Sequence, residues 1–243
     1  MVLKDRVIMI SGGSQGLGAA LARRCAEQGA RVSLCARGED GLRRIADEIV
    51  VEVPDAEVLV QSVDVTNEAE VADWVERTRH EFGAIDGFVN NASLLGPRVA
   101  IEEYPLEEWR SVIDVNLTGA FLCAKTVTPH LKQSRGSIVH VSSGVGDHGR
   151  PFWGAYCASK NGVEALSEMM AGELAECGVR SNAVDPGKMR TSMRAAAYPD
   201  EDPMTLPTPT EVTGVFIYLL SDASRDVTGG RFRAQDWEGP AAG

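Results

Sequence analysis

Short apolar runs recur along the chain: RVIMI (6–10), RVSLC (31–35), EVLVQSV (57–63), DGFVN (86–90), SIVHVS (137–142), VRSNAV (179–184) and a last run near GGRFRA (229–234). Between them apolar residues fall three or four apart, as in Leu17, Leu21 and Cys25, or Val163, Leu166, Met170 and Leu174. That spacing lines one face of an α-helix. Runs that are apolar almost throughout belong to strands covered on both sides. Seven of them alternating with helices predict an α/β protein, a single Rossmann-type doubly wound domain over residues 1–243. Its seven-stranded parallel sheet carries helices on both faces.

Two segments break the rhythm. Residues 190–209 hold four prolines and several acids. They follow the sixth strand and so lie at the carboxyl edge of the sheet, where ligands bind in such folds, which makes them a candidate substrate loop. The tail 235–243, with Gly239 and Pro240, is expected to be a flexible end or a contact to a neighbouring subunit.

Composition narrows the partners. The 243 residues carry a net charge of -11 and are 44% hydrophobic, enough for a packed core. The excess of acid argues against a nucleic-acid partner, which needs a basic surface. No apolar stretch is long enough to span a membrane, so the expected setting is the cytoplasm and the expected partner a small molecule. The five cysteines (25, 35, 123, 157 and 177) show no metal-ligand spacing and are expected to be reduced packing residues. Cys157 is the one placed beside candidate chemistry.

The first strand runs into SGGSQGLG (11–18), which sets Gly12, Gly16 and Gly18 in a GxxxGxG spacing. Glycines let the backbone turn tightly, and the helix that follows offers free N–H groups to a pyrophosphate. The turn residues Gly12, Ser14, Gln15, Gly16, Leu17 and Gly18 are therefore candidates for binding a dinucleotide, while packing alone is the alternative. The second strand ends in Cys35, Ala36, Arg37. No acid stands there to take a ribose 2′-hydroxyl, and Arg37 could clamp a 2′-phosphate, so NADP is the expected cofactor and NAD the alternative. A basic residue in place of Gln15 would have strengthened that choice. Asp64, followed by Val65 after the third strand, could accept from an adenine amino group or could serve as a strand-end acid beside Thr66, a plausible helix N-cap.

YCASK (156–160) places Tyr156 and Lys160 four apart, hence on one helical face. A free tyrosine titrates near ~10. A cation at ~4 Å in an effective dielectric of ~20 favours the phenolate by about 4 kcal/mol, about three pKa units. The pair is thus expected to exchange protons near neutrality.

SGGSQGLG, NNAS (90–93), Asn116 in DVNLTG, SIVHVSS (137–143), YCASK and DPG (185–187) occur in this order, and with them nearly the whole chain resembles the short-chain dehydrogenase/reductase superfamily. The stretch TSMRAAAYPDEDPMTL is similar to a bacterial subgroup of it. The resemblance implies a catalytic set of Ser143, Tyr156, Lys160 and Asn116. Ser143 lies thirteen residues before Tyr156, the family spacing, and is preferred to Ser142. It implies that Ser143 hydrogen-bonds the substrate oxygen, that Tyr156 is the acid or base, and that Lys160 lowers the tyrosine's pKa and holds the nicotinamide ribose. Asn116 would bend its helix and anchor a water. It further implies that Asn91 lines the cofactor, that Asn90 braces the sheet, and that Gly187, Met189 and Thr191 meet the nicotinamide end.

The implied reaction is interconversion of a carbonyl and an alcohol. Ser93 stands where the family has glycine, at a cost of roughly 1 to 2 kcal/mol if that position needs a positive φ. Asp185 and Lys188 near the cofactor mouth have no assigned role. Candidate substrate walls are Leu94, Leu95, Val145, Phe152, Trp153 and Met193, with His148 and Tyr198 nearby. This set favours an apolar ketone, aldehyde or secondary alcohol. The competing reading is a nucleotide-sensing or scaffold protein on the same fold. Family precedent implies a homodimer or homotetramer built on the helices around 107–133 and 154–177, where Ala165, Met169 and Ala171 add apolar positions.

Overall fold

The computed structural model describes residues 1–239. Each of the seven apolar runs is a strand: β1 (Val7–Ser11), β2 (Arg31–Ala36), β3 (Val58–Ser62), β4 (Gly87–Asn90), β5 (Ser137–Val141), β6 (Arg180–Asp185) and β7 (Arg231–Arg233). All pairings are parallel, in the order β3-β2-β1-β4-β5-β6-β7. Strands β1, β4 and β5 are buried from end to end, which explains why their sequences do not alternate.

Helices α1 (Gly16–Glu27), α2 (Glu39–Glu52) and α8 (Gly214–Leu220) cover one face, packing Leu21, Leu42, Ile45 and Phe216 against Ile8, Ile10 and Val32. Helices α3 (Glu68–Phe82), α5 (Gly119–Ser134) and α6 (Gly154–Leu174) cover the other through Trp74, Val127 and Leu166 against Met9, Phe88 and Ile138. The strand order reverses between β1 and β4, which opens a crevice at their carboxyl ends.

Helix α4 (Leu106–Ile113) runs into α5 through a π-turn at Asp114–Thr118. One extra residue in the turn swings Asn116 inward, where it is 1% exposed. Helix α3 begins one residue later than the Thr66 cap expected: Asn67 is the N-cap and accepts from the amides of Ala69 and Glu70. Asp64 is instead a turn acid that accepts from the amide of Thr66 at 2.9 Å and its hydroxyl at 2.7 Å.

The 190–209 segment folds as α7 (Ser192–Ala197) followed by single 3-10 turns, so the candidate substrate lid is regular structure along much of its length. The flexible tail expected at 235–243 needs correction over its first part. Trp237 packs on Tyr218 with ring centres 4.8 Å apart and on Phe232 at 6.0 Å, which fixes that part of the tail to the domain. Its last four residues, 240–243, lie outside the described residues.

Candidate active site

The glycine turn is built from contacts that side chains would prevent. Gly12 and Gly16 take φ of +69° and +57°, a region costly for residues with a Cβ. A Cβ on Gly18 would stand 2.2 Å from the carbonyl oxygen of Gly12. The turn is tied to β4 by Ser11, whose hydroxyl accepts from the amides of Asn91 and Ala92 at 3.0 and 3.1 Å. The side-chain amide of Asn91 donates to the carbonyls of Ser11 and Gly12 at 2.8 and 3.1 Å, so Asn91 lines the cleft while holding the turn in shape.

At the start of α1 no side chain caps the free N–H groups and no acid stands in the first turn. Gly12, Ser14, Gln15, Gly16 and Leu17 line the cleft, whereas Gly18 packs behind it. The donor set and the space beside it fit a pyrophosphate.

Arg37, Asp64 and Val65 lie beyond the cleft, toward the carboxyl ends of β2 and β3. Arg37 is exposed, and among the described residues its side chain has no carboxylate within salt-bridge distance. The bonds from Thr66 hold the carboxyl of Asp64 below the usual carboxylate range, and the charge of Arg37 adds to this. Val65 is 7% exposed and packs where a side chain on Gly119 would otherwise sit.

Helix α6 delivers Tyr156 and Lys160, both buried, to the floor of the crevice. Lys160 Nζ donates to the carbonyl of Val141 at 2.7 Å and lies 5.7 Å from the centre of the Tyr156 ring. Burial raises the phenol to about 12; the hydroxyl of Ser143 works against that rise and the charge of Asp185 adds to it. Burial likewise pulls Lys160 down to about 8, with Glu164 opposing. The expectation that Lys160 alone brings Tyr156 toward neutrality is therefore corrected. Both groups are dehydrated, and burial is the largest cause of both shifts.

Ser143 faces the tyrosine from the loop after β5. Its carbonyl accepts from Arg231 at 3.2 Å, and Arg231 is itself held by Glu164 at 2.8 Å and Asp147 at 2.9 Å. Asn116 stands behind: its Oδ1 accepts from the amide of Leu94 at 2.7 Å, and its Nδ2 donates to the carbonyl of Leu94 at 2.9 Å and to Ser159 at 3.1 Å. Asn90 donates to the carbonyl of Ala120 at 2.8 Å, linking β4 to α5.

These residues border a cleft of about 610 Å³. Leu95, Val145, Trp153 and Met193 line it, as do Gly187, Met189 and Thr191 from the turn after β6. Two expected walls are corrected. Leu94 sits one layer back, held by Asn116. Phe152 is 59% exposed; its φ of 67° turns the ring outward into a separate groove with Val99 and Ile101.

Tyr198 packs on Trp153, 6.2 Å between ring centres, and His148 is exposed and paired with Asp147. Thr191 also caps α7 by accepting from the amide of Arg194 at 3.2 Å. Ser93 avoids positive φ, so serine costs no backbone strain there; its hydroxyl is buried without a partner among the described residues. Asp185 is structural: it accepts from the amide of Gly187 at 2.9 Å and faces Arg233 at 3.7 Å. Cys157 is buried, its sulfur 3.3 Å from the carbonyl oxygen of Val145, a packing residue. Sequence reasoning missed Arg150, Arg194, Arg233 and Gln235 on the cleft wall. Arg150 comes from a loop, Gln235 from the tail, Arg194 from the short helix α7 and Arg233 from the end of the three-residue strand β7, none long enough for periodicity to mark an inward position.

Residues 6–202 match the family model described as short chain dehydrogenase. An oxidoreductase of Escherichia coli (strain K12), YciK, is 35% identical over 241 residues, covering 98% of this chain and 95% of that protein. Levodione reductase of Leifsonia aquatica is 38% identical over 200 residues, covering 82% and 75%. Among solved structures, a short chain dehydrogenase of Shigella flexneri 2a complexed with NADP superposes with a TM-score of 0.93. Its identity is 35%, and 96% of this chain and 98% of that one are covered. With this match over the length that carries the glycine turn, Ser143, Tyr156 and Lys160, the chain belongs to the short chain dehydrogenase family.

Proposed function

We propose that this protein is an NADP(H)-dependent oxidoreductase that interconverts a ketone or aldehyde and the corresponding alcohol. The observation that carries the reading is the shared cleft: Ser143, Tyr156 and Lys160 form one wall and the glycine turn with Thr191 another. Arg37, the lack of an acid at the end of β2 and the NADP in the Shigella structure favour NADP over NAD. When bound, the nicotinamide supplies or accepts the hydride.

In the reducing direction Tyr156 is suited to give a proton. Its phenol stays neutral until about pH 12, so the Oη proton is available to the substrate oxygen at ordinary pH. Ser143 adds a second hydrogen bond to that oxygen and holds the reacting carbon in place. Lys160, brought down to about 8, is still mostly protonated at neutral pH and offers a cation 5.7 Å from the ring centre as the phenolate forms. Asn116 fixes the backbone of Leu94, and through it the wall at Leu95. The outward helix faces, where Phe121 and Met169 are exposed, support a homodimer or homotetramer, and a cytoplasmic setting accompanies the reading.

Fluorescence titration of NADPH and NADH against the wild type and Arg37→Ala tests the cofactor without knowledge of the substrate. The expected result is tight NADPH binding that the substitution weakens about tenfold or more, with little change for NADH. Binding of neither nucleotide overturns the reading.

A further inference from the structure

The chain is acidic, with a net charge of -11, yet the charged residues lining its cleft are Arg150, Lys160, Lys188, Arg194 and Arg233 against Asp185 alone. Most of these cations are already engaged. Arg194 pairs with Glu201 at 2.6 Å, and Arg233 faces Asp185 at 3.7 Å and Asp236 at 3.5 Å. Lys160 is bonded to Val141. Lys188 follows the Pro186–Gly187 turn and lies close enough to Glu201 to lower its pKa.

Arg150 differs from them. Among the described residues its guanidinium makes neither an ion pair nor a hydrogen bond, which leaves five N–H donors in a planar fork unused. Its contact is with an aromatic ring: Cζ lies 5.2 Å from the centre of Trp153. Arg150 is exposed, and the indole face gives its guanidinium a favoured resting place, so part of the freedom lost when an anion arrives is already given up. The same indole lies 5.7 Å from the Tyr156 ring, so one side chain separates the cation from the proton donor. Arg150 also borders the neighbouring groove of about 440 Å³, which places it at the mouth of the cleft.

A second guanidinium, Arg98, sits 4.8 Å from Trp153 and 4.5 Å from Tyr198. It donates to the carbonyl of Ala197 and so fastens the lid to the loop after β4. Two cations on one indole, with no carboxylate within salt-bridge distance of either among the described residues, repel each other, and an anion entering the mouth relieves that repulsion.

We propose that Arg150 is a specificity-determining residue that receives a carboxylate at the end of the substrate remote from the reacting carbon. This rests on the oxidoreductase reading above. The substrate then has an apolar body, facing Leu95, Val145 and Met193, and one anionic end. Binding needs no covalent step beyond the proton and hydride transfer already described.

The test compares three keto acids of different reach, 4-acetylbenzoate, 3-acetylbenzoate and 5-oxohexanoate, each with its own methyl ester. Binding to the NADPH-loaded protein is read by change of nucleotide fluorescence, and turnover by loss of NADPH absorbance. At least one acid is expected to bind roughly ten- to hundredfold more tightly than its ester. Arg150→Met should abolish that ratio, Arg150→Lys should keep part of it, and Arg150→Glu should invert it. Esters bound as well as acids, or a preference that survives Arg150→Met, overturns the proposal. Failure to bind NADPH at all is a separate result, which overturns the oxidoreductase reading on which the proposal stands.

Discussion

Lys160 follows Tyr156 by one helical turn, and its Nζ is held 2.7 Å from the carbonyl oxygen of Val141 and 5.7 Å from the centre of the phenol ring. The two groups share a dehydrated floor, and burial dominates both: the phenol rises to about 12 and the ammonium falls to about 8. Ultraviolet difference titration of the cofactor-free wild type against Tyr156→Phe should therefore show no tyrosinate from Tyr156 below about pH 11. A Tyr156 signal near neutrality would reinstate the simple view that the lysine charge governs the tyrosine. In turnover, Tyr156→Phe is expected to cost roughly 10²- to 10⁴-fold, the range for a positioned proton donor.

The contrast shows which kinds of information a sequence carries. The YCASK spacing fixes that the two side chains share a helical face, but the dielectric around them depends on what α4, β5 and the lid bring over the site. The first six strands were legible because each is a largely apolar run between helical repeats, β7, an Arg-Phe-Arg strand, only as the last beat of the alternation, and the glycine turn because its spacing and its place after β1 have few other uses. Arg150 and Gln235 were not legible: they reach the cleft from a loop and a tail with no periodic pattern. Phe152 was misread for a related reason. Aromatic character marks it as a wall, while its backbone φ of 67° decides that it faces away.

The close approach at Gly18 yields a sharp contrast between two glycines. Gly18→Ala forces a Cβ to 2.2 Å from the Gly12 carbonyl oxygen and 2.7 Å from Asn91 Nδ2; the first of these neighbours is backbone and cannot step aside. NADPH affinity should fall at least about tenfold as the turn shifts away from the pyrophosphate. Gly172→Ala meets nothing within 4 Å on α6, and should stabilise the protein by up to about 1 kcal/mol through helix propensity. Nucleotide titration and urea unfolding on both variants check the pair; equal NADPH binding by Gly18→Ala and the wild type would refute the first half.

Asn116 is expected to matter first as a structural clamp. Replacing it with Leu strands the amide and carbonyl of Leu94 and removes a partner of Ser159. Stranded buried groups cost about 1 to 3 kcal/mol each, so Asn116→Leu should lower stability by about 2 to 4 kcal/mol. Asn116→Asp keeps the acceptor for the Leu94 amide but sets a carboxylate oxygen against the Leu94 carbonyl in a buried site, so at neutral pH it should also destabilise, and less so at a pH low enough to protonate it. Urea midpoints at constant slope measure both, and a loss under about 1 kcal/mol for Asn116→Leu would show that the π-turn holds its shape without the asparagine.

His140 on β5 should set the acid side of the stability profile. Its ring is 0% exposed, its Nδ1 lies 3.4 Å from Asn90 Nδ2, and its Nε2 has no partner among the described residues. Burial, with the charge of Lys160 acting in the same sense, takes its pKa down to about 3 from 6.5. The folded protein then refuses a proton that the unfolded chain accepts once pH drops below 6.5. The histidine's contribution is fully present above that value and is lost as pH falls from 6.5 toward 3, with a limiting slope of about 1.4 kcal/mol per pH unit. Between pH 7 and pH 5 this amounts to roughly 2 kcal/mol. The measurement is urea unfolding at both pH values for the wild type and His140→Leu. The variant's stability should change less over that interval by about that amount, whatever its absolute stability, because only the difference between the two pH values enters. Equal changes in the two proteins would mean that His140 takes up its proton in the folded state.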